Sequence, residues 1–187
     1  MAFLTGQSDP DRCALSPEQR AFLIQLDGEE RELVPTNFPY RPTVTFRDVH
    51  LLRACWNNLW LYFRSRNPEF AATYQVEVTA LIDRAEYTFF LVGSCGLELF
   101  NNLSLPRELE TRCTLICYGP VARRLPRHAR SIIVRSSGDY VSRPFFRHAP
   151  LQLRCGHMGY LRDPEFLRFC QAQLALYPSR LCSSTSA

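Results

Sequence analysis

Lysine is absent from this sequence, and all 22 basic residues are arginine. They are spread along the chain rather than gathered in a block, and the formal net charge is +4. A dispersed charge of this size gives no argument for a nucleic-acid partner. Arginine does suit phosphate and carboxylate groups, because its planar guanidinium donates two parallel hydrogen bonds.

The eight cysteines form no CxxC pair and no Cys/His array with the spacing of a zinc site. Cys113 and Cys117 are four apart on a predicted strand, so they would share one face but lie too far apart to chelate one ion. We therefore expect no metal and no other cofactor. Seven of the eight cysteines are interpreted as small buried hydrophobic residues.

Long apolar runs are also missing. The run from 51 to 63 is interrupted by Arg53 and by Asn57-Asn58, and it does not reach transmembrane length. The first residues lack the basic segment of a secretory signal and soon meet Asp9. These absences predict a cytoplasmic protein with no membrane partner, whose cysteines stay reduced.

The sequence does contain an alternation of short β-type runs and helical segments. Hydrophobic residues make up 46% of the 187 residues, which predicts one domain with its own core at 1–178 and a flexible tail at 179–187. Strands are predicted at 1–4, 32–34, 87–92, 113–117, 131–134 and 151–154, and helices at 17–26, 46–63, 68–85 and 164–176. This order predicts an α/β fold, with a mainly parallel sheet and helices on both faces.

Parallel sheets of this kind bind ligands beyond the carboxyl ends of their strands. The residues directly after predicted strands are Gly6-Gln7, Ser94-Cys95-Gly96, Tyr118, Asp139 and His157. A cysteine or serine, a histidine and an aspartate are the residue types that serve as nucleophile, base and orienting acid. Their common position after strands makes them candidates for one catalytic site.

The segment Phe90-Leu91-Val92-Gly93-Ser94-Cys95-Gly96-Leu97 resembles the nucleophile elbow of the α/β-hydrolase superfamily, where a buried strand turns sharply into a helix. Aligned on the strand end, Cys95 takes the nucleophile position, and the Gly96 amide would serve the oxyanion hole. The second frame makes Ser94 the nucleophile, with Val92 two before it and Gly96 two after. The first frame departs from the family pattern at Leu97. We favour Cys95 and keep Ser94 as the alternative nucleophile.

The order of the other candidates is also similar to that superfamily, in which the acid follows a late strand and the histidine follows the last one. Asp139 and His157 match these positions, and the stretch 156–164 is similar to the ends of thioesterase-type members. The segment 3–7 looks like the strand and loop that supply the second oxyanion amide, here that of Gln7. The two N-terminal antiparallel strands and any lid between 118 and 131 are missing, so the resemblance implies a reduced, lidless α/β-hydrolase fold.

The resemblance implies an acyl hydrolase or acyltransferase, similar to thioesterases, that works through a Cys95-His157-Asp139 triad and an acyl-enzyme. The substrate would be a small acyl ester or thioester, carried on coenzyme A or on an acyl carrier protein. The arginines between two late strands, Arg123, Arg124, Arg127 and Arg130, would either meet its phosphate or form a solvated basic loop. The alternative is a non-catalytic member of the fold that serves as a binding or accessory module. The acyl group, hydrolysis against transfer or cyclisation, and the oligomeric state stay open.

Overall fold

Five parallel strands form the centre of the structure, which is a computed structural model describing residues 1–37, 40, 46 and 48–177. The strands are β1 (Ala2–Leu4), β2 (Thr88–Gly93), β3 (Cys113–Tyr118), β4 (Arg130–Ser136) and β5 (Leu151–Leu153). They lie side by side in chain order, and each neighbouring pair is parallel. All five carboxyl ends therefore meet at one edge of the sheet.

In the described part of the chain, six helices follow or connect these strands. They are α1 (Pro17–Ile24), α2 (Leu51–Arg64), α3 (Pro68–Asp83), α4 (Gly96–Asn102), α5 (Arg107–Glu110) and α6 (Pro164–Ala175), and a 3₁₀ turn at Tyr160–Arg162 precedes α6. The start of α1 is a capping box, in which Ser16 accepts from the Gln19 backbone and the Gln19 side chain accepts from the Ser16 backbone. Helices α3 and α6 begin with a proline that follows a capping Asn67 or Asp163.

The helices cover both faces of the sheet. Along β2, Phe90 and Val92 belong to a core cluster that includes side chains of α2, α3 and α4. Leu91 points to the other face and belongs to a second cluster with side chains of α1 and α6. A strand buried on both faces is typical of a parallel sheet, and the predicted α/β class with helices on both faces is confirmed.

Three expectations from the sequence differ from the structure. Residues 32–34 form no strand; the Val34 amide donates to the Met1 carbonyl at 2.9 Å, but Pro35 follows and offers no donor to continue a ladder. Helix α2 begins at Leu51 instead of 46. Cys55, on α2, is exposed and Cys155 is half-buried, although both were expected to be buried, whereas Cys113 and Cys117 are buried on one face as expected. The expected tail at 179–187 lies outside the described residues.

The lengths and compositions of the helices bear on membrane insertion. Within the described part of the chain, no helix combines the length and the apolar character needed to cross a bilayer.

Candidate active site

The strongest polar contact at the carboxyl edge joins Asp139, from the loop after β4, to His157, from the loop after β5. Nδ1 of His157 lies 2.9 Å from Oδ2 and 3.0 Å from Oδ1 of the fully buried Asp139 carboxylate. Further donors complete the shell: the amides of Val141 and Ser142 at 3.0 and 3.1 Å, and the hydroxyls of Ser142 and Tyr160 at 2.6 and 2.9 Å. The acid is therefore held rigidly against one side of the imidazole.

The charge of Asp139 determines which ring nitrogen of His157 carries the proton. Burial raises the pKa of the Asp139 carboxyl, but the hydrogen bonds from Ser142 and His157 outweigh it, so the net pKa is lowered. At neutral pH Asp139 is a carboxylate, which only accepts hydrogen bonds. Nδ1 of His157 must then carry the proton, and Nε2 is left free to act as a base.

Gly119, which directly follows β3, makes the space for this pair. Its φ is +52°, and a Cβ at this position would lie 2.7 Å from Oδ2 of Asp139 and 3.3 Å from Nδ1 of His157. Only glycine fits both the left-handed backbone and the close approach. The local sequence gives no sign that Gly119 lies against Asp139 and His157.

The sharp turn between β2 and α4 is made by Ser94. Its φ is +50°, whereas Cys95 has an ordinary φ of −71° and is the N-cap residue of α4. The prediction that Cys95 occupies the sharp turn after the strand is therefore wrong. The physical reason is that β2 extends through Gly93, so Ser94 is the first residue after the strand.

Cys95 is a core residue. Its side chain is 3% exposed, and its Sγ atom packs against the loop after β1, 2.8 Å from where a Cβ of Gly6 would lie. Burial, with the nearby charge of Glu98 adding to it, raises the pKa of the Cys95 thiol to about 12. Since the thiolate is the reactive form, this thiol is a poor nucleophile at neutral pH.

Ser94 lies at the same edge as the acid and the base. Gly93 pairs with Tyr118 across the β2–β3 register, which sets Ser94 beside Gly119, and the Val121 amide donates to the Ser94 carbonyl at 2.8 Å. The Ser94 side chain is half-buried. Its hydroxyl makes no hydrogen bond to any residue that the structure describes, His157 included.

Gly6 packs close to Cys95, so the loop after β1 lies near the turn. In the described part of the chain, no backbone carbonyl accepts from the Gly6, Gln7 or Cys95 amide. The Gln7 side chain shapes the loop after β1, because its Nε2 donates to the carbonyls of Pro10 and Arg12 at 3.0 Å each. Free N–H groups from two segments are what an oxyanion hole requires.

Gly96 has a packing role. A Cβ there would collide with the carbonyl oxygen of Leu4, so glycine lets the start of α4 cross closely over β1. This constraint explains why a glycine stands two residues after Ser94. It supports the alignment that places Ser94 at the turn over the one that places Cys95 there.

Two polar groups near the site were missed from the sequence. Oδ1 of Asn58, on α2, is buried beside Gly6 and has no hydrogen-bond partner among the described residues. Glu98, on α4, is fully buried and accepts from the Arg123 guanidinium at 2.6 Å and from Arg66 at 3.3 Å. Neither the packing of Asn58 beside Gly6 nor the ion pairing of Glu98 has a local sequence signature, because each joins residues more than twenty positions apart.

The arginines between β3 and β4 do not act as one patch. Arg123 is paired with Glu98. Arg130 begins β4, at the edge opposite the candidate site, and donates to the Tyr177 hydroxyl at 2.8 Å. Arg124 and Arg127 are exposed and remain candidates for an anionic group.

The residues described here contain no cluster of His, Cys, Asp and Glu that could hold a metal ion. Comparisons with protein-family models, with curated proteins and with solved structures found no match.

Proposed function

We propose that this chain is an acyl hydrolase or acyltransferase of the α/β-hydrolase type, with Ser94 as nucleophile, His157 as base and Asp139 as orienting acid. The observation that carries the proposal is the φ of +50° at Ser94, which joins a buried strand to a helix and neighbours Gly119, the residue that packs against the Asp139–His157 pair. A non-glycine residue in this conformation costs about 1–3 kcal/mol and persists where function or packing demands it. The nucleophile thus moves from Cys95 to Ser94, and the rest of the triad is kept.

The chemistry follows from the free atoms of the site. The Ser94 hydroxyl gives its proton to Nε2 of His157, and Oγ forms a bond to the acyl carbonyl carbon. The amides of Cys95 and Gln7 stabilise the oxyanion, Cys95 taking the place predicted for Gly96. The carbon–leaving-group bond then breaks, and the departing alcohol or thiol takes the proton from His157. Water or another acceptor then gives a proton to Nε2 of His157 and bonds to the acyl carbon. The bond between that carbon and Oγ of Ser94 breaks, and His157 returns the proton to Oγ.

The substrate class remains an acyl ester or thioester. Arg124 and Arg127 support a phosphate-bearing carrier group, because both guanidinium groups are exposed on the loop after β3.

Turnover of a panel of acyl esters and thioesters tests the assignment. We expect Ser94→Ala to lower kcat by about a thousandfold or more, since nucleophile and base act as a unit. Cys95→Ala should keep most of its kcat and lose about 1 kcal/mol of stability, because it removes a buried sulfur from the core. The reverse pattern, with activity lost only in Cys95→Ala, would return the role to the cysteine.

A non-catalytic binding role is the second candidate, favoured by one observation. The Ser94 hydroxyl donates no hydrogen bond to His157 in the described structure, whereas a triad in its working geometry has this bond, although it is often loose without substrate. Absence of turnover by the wild-type chain on every ester and thioester in the panel would favour this candidate.

A further inference from the structure

Helix α2 is apolar on its outer side as well as on its inner side. Leu52, Trp56, Leu59, Trp60 and Phe63 are each between 49% and 74% exposed. At about 100° per residue these five positions fall within one sector roughly 100° wide, the outer stripe of α2. The opposite side of the helix carries Asn58, Leu61 and Tyr62 toward the core. An exposed apolar stripe of this size on a small protein indicates an interaction surface.

A second apolar surface borders the candidate site. Tyr140 and Val141 follow Asp139, Met158 follows His157, and these three side chains are between 55% and 75% exposed. They stand at the carboxyl edge of the sheet. Helix α2 is tied to the same edge, because the Asn57 side chain donates to the Ser8 carbonyl at 2.7 Å in the loop after β1.

The charged residues of α2 and of the segment 140–154 are all arginines. Helix α2 contains Arg53 and Arg64 and no acidic residue, and the Arg64 guanidinium lies 4.8 Å from the Trp60 ring centre. The segment 140–154 also contains no acidic residue, and its Arg143 and Arg147 are exposed. Exposed tryptophan, leucine and phenylalanine beside arginine are typical of helices that lie in the plane of an anionic membrane surface.

We propose that the outer stripe of α2 and the loop surface at Tyr140, Val141 and Met158 dock this protein on an anionic lipid surface. The carboxyl edge of the sheet then faces the lipid, and the site takes an acyl ester from it. The docking rests on the two surfaces and their charge, and only the substrate rests on the proposed function. This replaces the expectation of no membrane partner: the helix lies on the surface and does not cross it.

A second copy of the chain is a poorer occupant of the stripe. In a two-fold antiparallel α2 pair, Trp56 of one copy would oppose Trp60 of the other. This arrangement brings Arg53 and Arg64 of the two copies together. No acidic residue of α2 offsets these like charges.

The chain contains two tryptophans, Trp56 and Trp60, so its tryptophan fluorescence reports directly on the stripe. The full chain carrying Ser94→Ala is mixed with vesicles of phosphatidylcholine alone and of phosphatidylcholine with phosphatidylglycerol. We expect a blue shift and co-sedimentation with the anionic vesicles, with weaker binding to the neutral ones and at raised salt. No shift and no co-sedimentation with either kind would overturn the docking proposal.

Variants separate the stripe from general surface effects. Leu52→Asn with Leu59→Asn should lower the partition onto anionic vesicles by about tenfold or more. Val76→Asn is the matched control, because Val76 is 72% exposed on α3, outside the stripe. The partition of this variant onto anionic vesicles should equal that of the parent chain. Helix content by circular dichroism verifies that each variant is folded.

Three results would contradict the proposal: an equal loss in Val76→Asn, a dimer that shields both tryptophans, or binding to an acidic acyl carrier protein but not to vesicles. The catalytic and docking proposals fail independently. Vesicle binding by a wild-type chain that turns over no ester removes the catalytic proposal alone. Turnover without vesicle binding removes the docking proposal alone.

Discussion

At the scale of single residues, two serines of the described chain have a positive φ: Ser94 at 50° and Ser104 at 53°. Ser104 directly follows Leu103, the C-cap of α4, where left-handed residues commonly end helices. Ser94 has no such local reason, since it joins a strand to a helix. The same backbone strain thus has a local explanation at one serine and calls for a functional one at the other.

Glycine substitutions make this contrast measurable. Ser94→Gly and Ser104→Gly should each raise the free energy of unfolding by up to about 1 kcal/mol, because glycine adopts a positive φ without strain. Ser94→Gly should abolish ester turnover, and Ser104→Gly should leave turnover unchanged. Urea unfolding and initial rates check both variants; full activity in Ser94→Gly would show that this hydroxyl has no part in the reaction.

The pH dependence of stability tests the shell around Asp139. Its folded-state pKa is lowered, so its stabilising contribution is complete above the pKa of the unfolded chain and is lost as pH falls through the folded value. At pH 7, Asp139→Asn should be about 1–3 kcal/mol less stable, since buried donors lose their acceptor. The gap between wild type and Asp139→Asn should narrow below about pH 4, near the unfolded-state pKa.

Denaturant unfolding at several pH values measures this gap, with Asp83→Asn as control. The Asp83 side chain is 55% exposed in its pair with Arg112, and such surface pairs contribute only about 0–1 kcal/mol. A gap for Asp139→Asn that stays constant down to acid pH would mean that the Asp139 carboxylate is not stabilised as the structure indicates.

At the scale of elements, the turn after β3 determines whether the acid and the base can meet. Gly119→Ala should sharply lower turnover and cost about 1–2 kcal/mol of stability, because its Cβ needs a left-handed backbone and would press on the Asp139 carboxylate. Gly156→Ala is the matched control: Gly156 directly precedes His157, and a Cβ there meets nothing within 4 Å. Equal effects in the two variants, measured as kcat and melting temperature, would argue against the close packing at Gly119.

The sequence was informative wherever a local pattern determines an element. The Ser16 capping box, the prolines that begin α3 and α6, and the apolar run of β2 all produced elements close to their predicted bounds. The Asp139–His157 pair was also predicted, because both residues follow strands whose ends share one edge. Local capping and apolar patterns are sufficient to predict these elements, and the parallel order of the strands is sufficient to predict the Asp139–His157 pair.

The residue at the sharp turn was misplaced because its position depends on where one strand ends. The strand β2 was predicted to end at Val92, whereas it ends at Gly93. With the earlier end, either Ser94 or Cys95 could occupy the turn, and the apolar pattern does not distinguish the two alignments. The deciding contact, between Gly96 and the Leu4 carbonyl, joins segments more than ninety residues apart. The glycine two residues after Ser94 was the available sequence signal for the alignment that places Ser94 at the turn. The Tyr160 hydroxyl on Asp139 was missed because this contact likewise depends on packing between distant elements.

At the scale of the whole molecule, the sequential strand order assembles the site. Strand β2, which leads to Ser94, lies between β1, whose loop carries Gly6 and Gln7, and β3, whose end is beside the Asp139–His157 pair. The loop with Gly6 and Gln7 thus lies on one side of Ser94, and the Asp139–His157 pair lies on the other. The buried carboxylate of Glu98 further joins α4 to the loop after β3 through Arg123, which fixes the helix behind the turn.

The most direct test of the central claim is covalent labelling with a fluorophosphonate, followed by intact mass and peptide mapping. We predict a single adduct on Ser94 in the wild-type chain and in Cys95→Ala, and none in Ser94→Ala or His157→Ala. An adduct on Cys95, or a folded wild-type chain that takes no label, would contradict it.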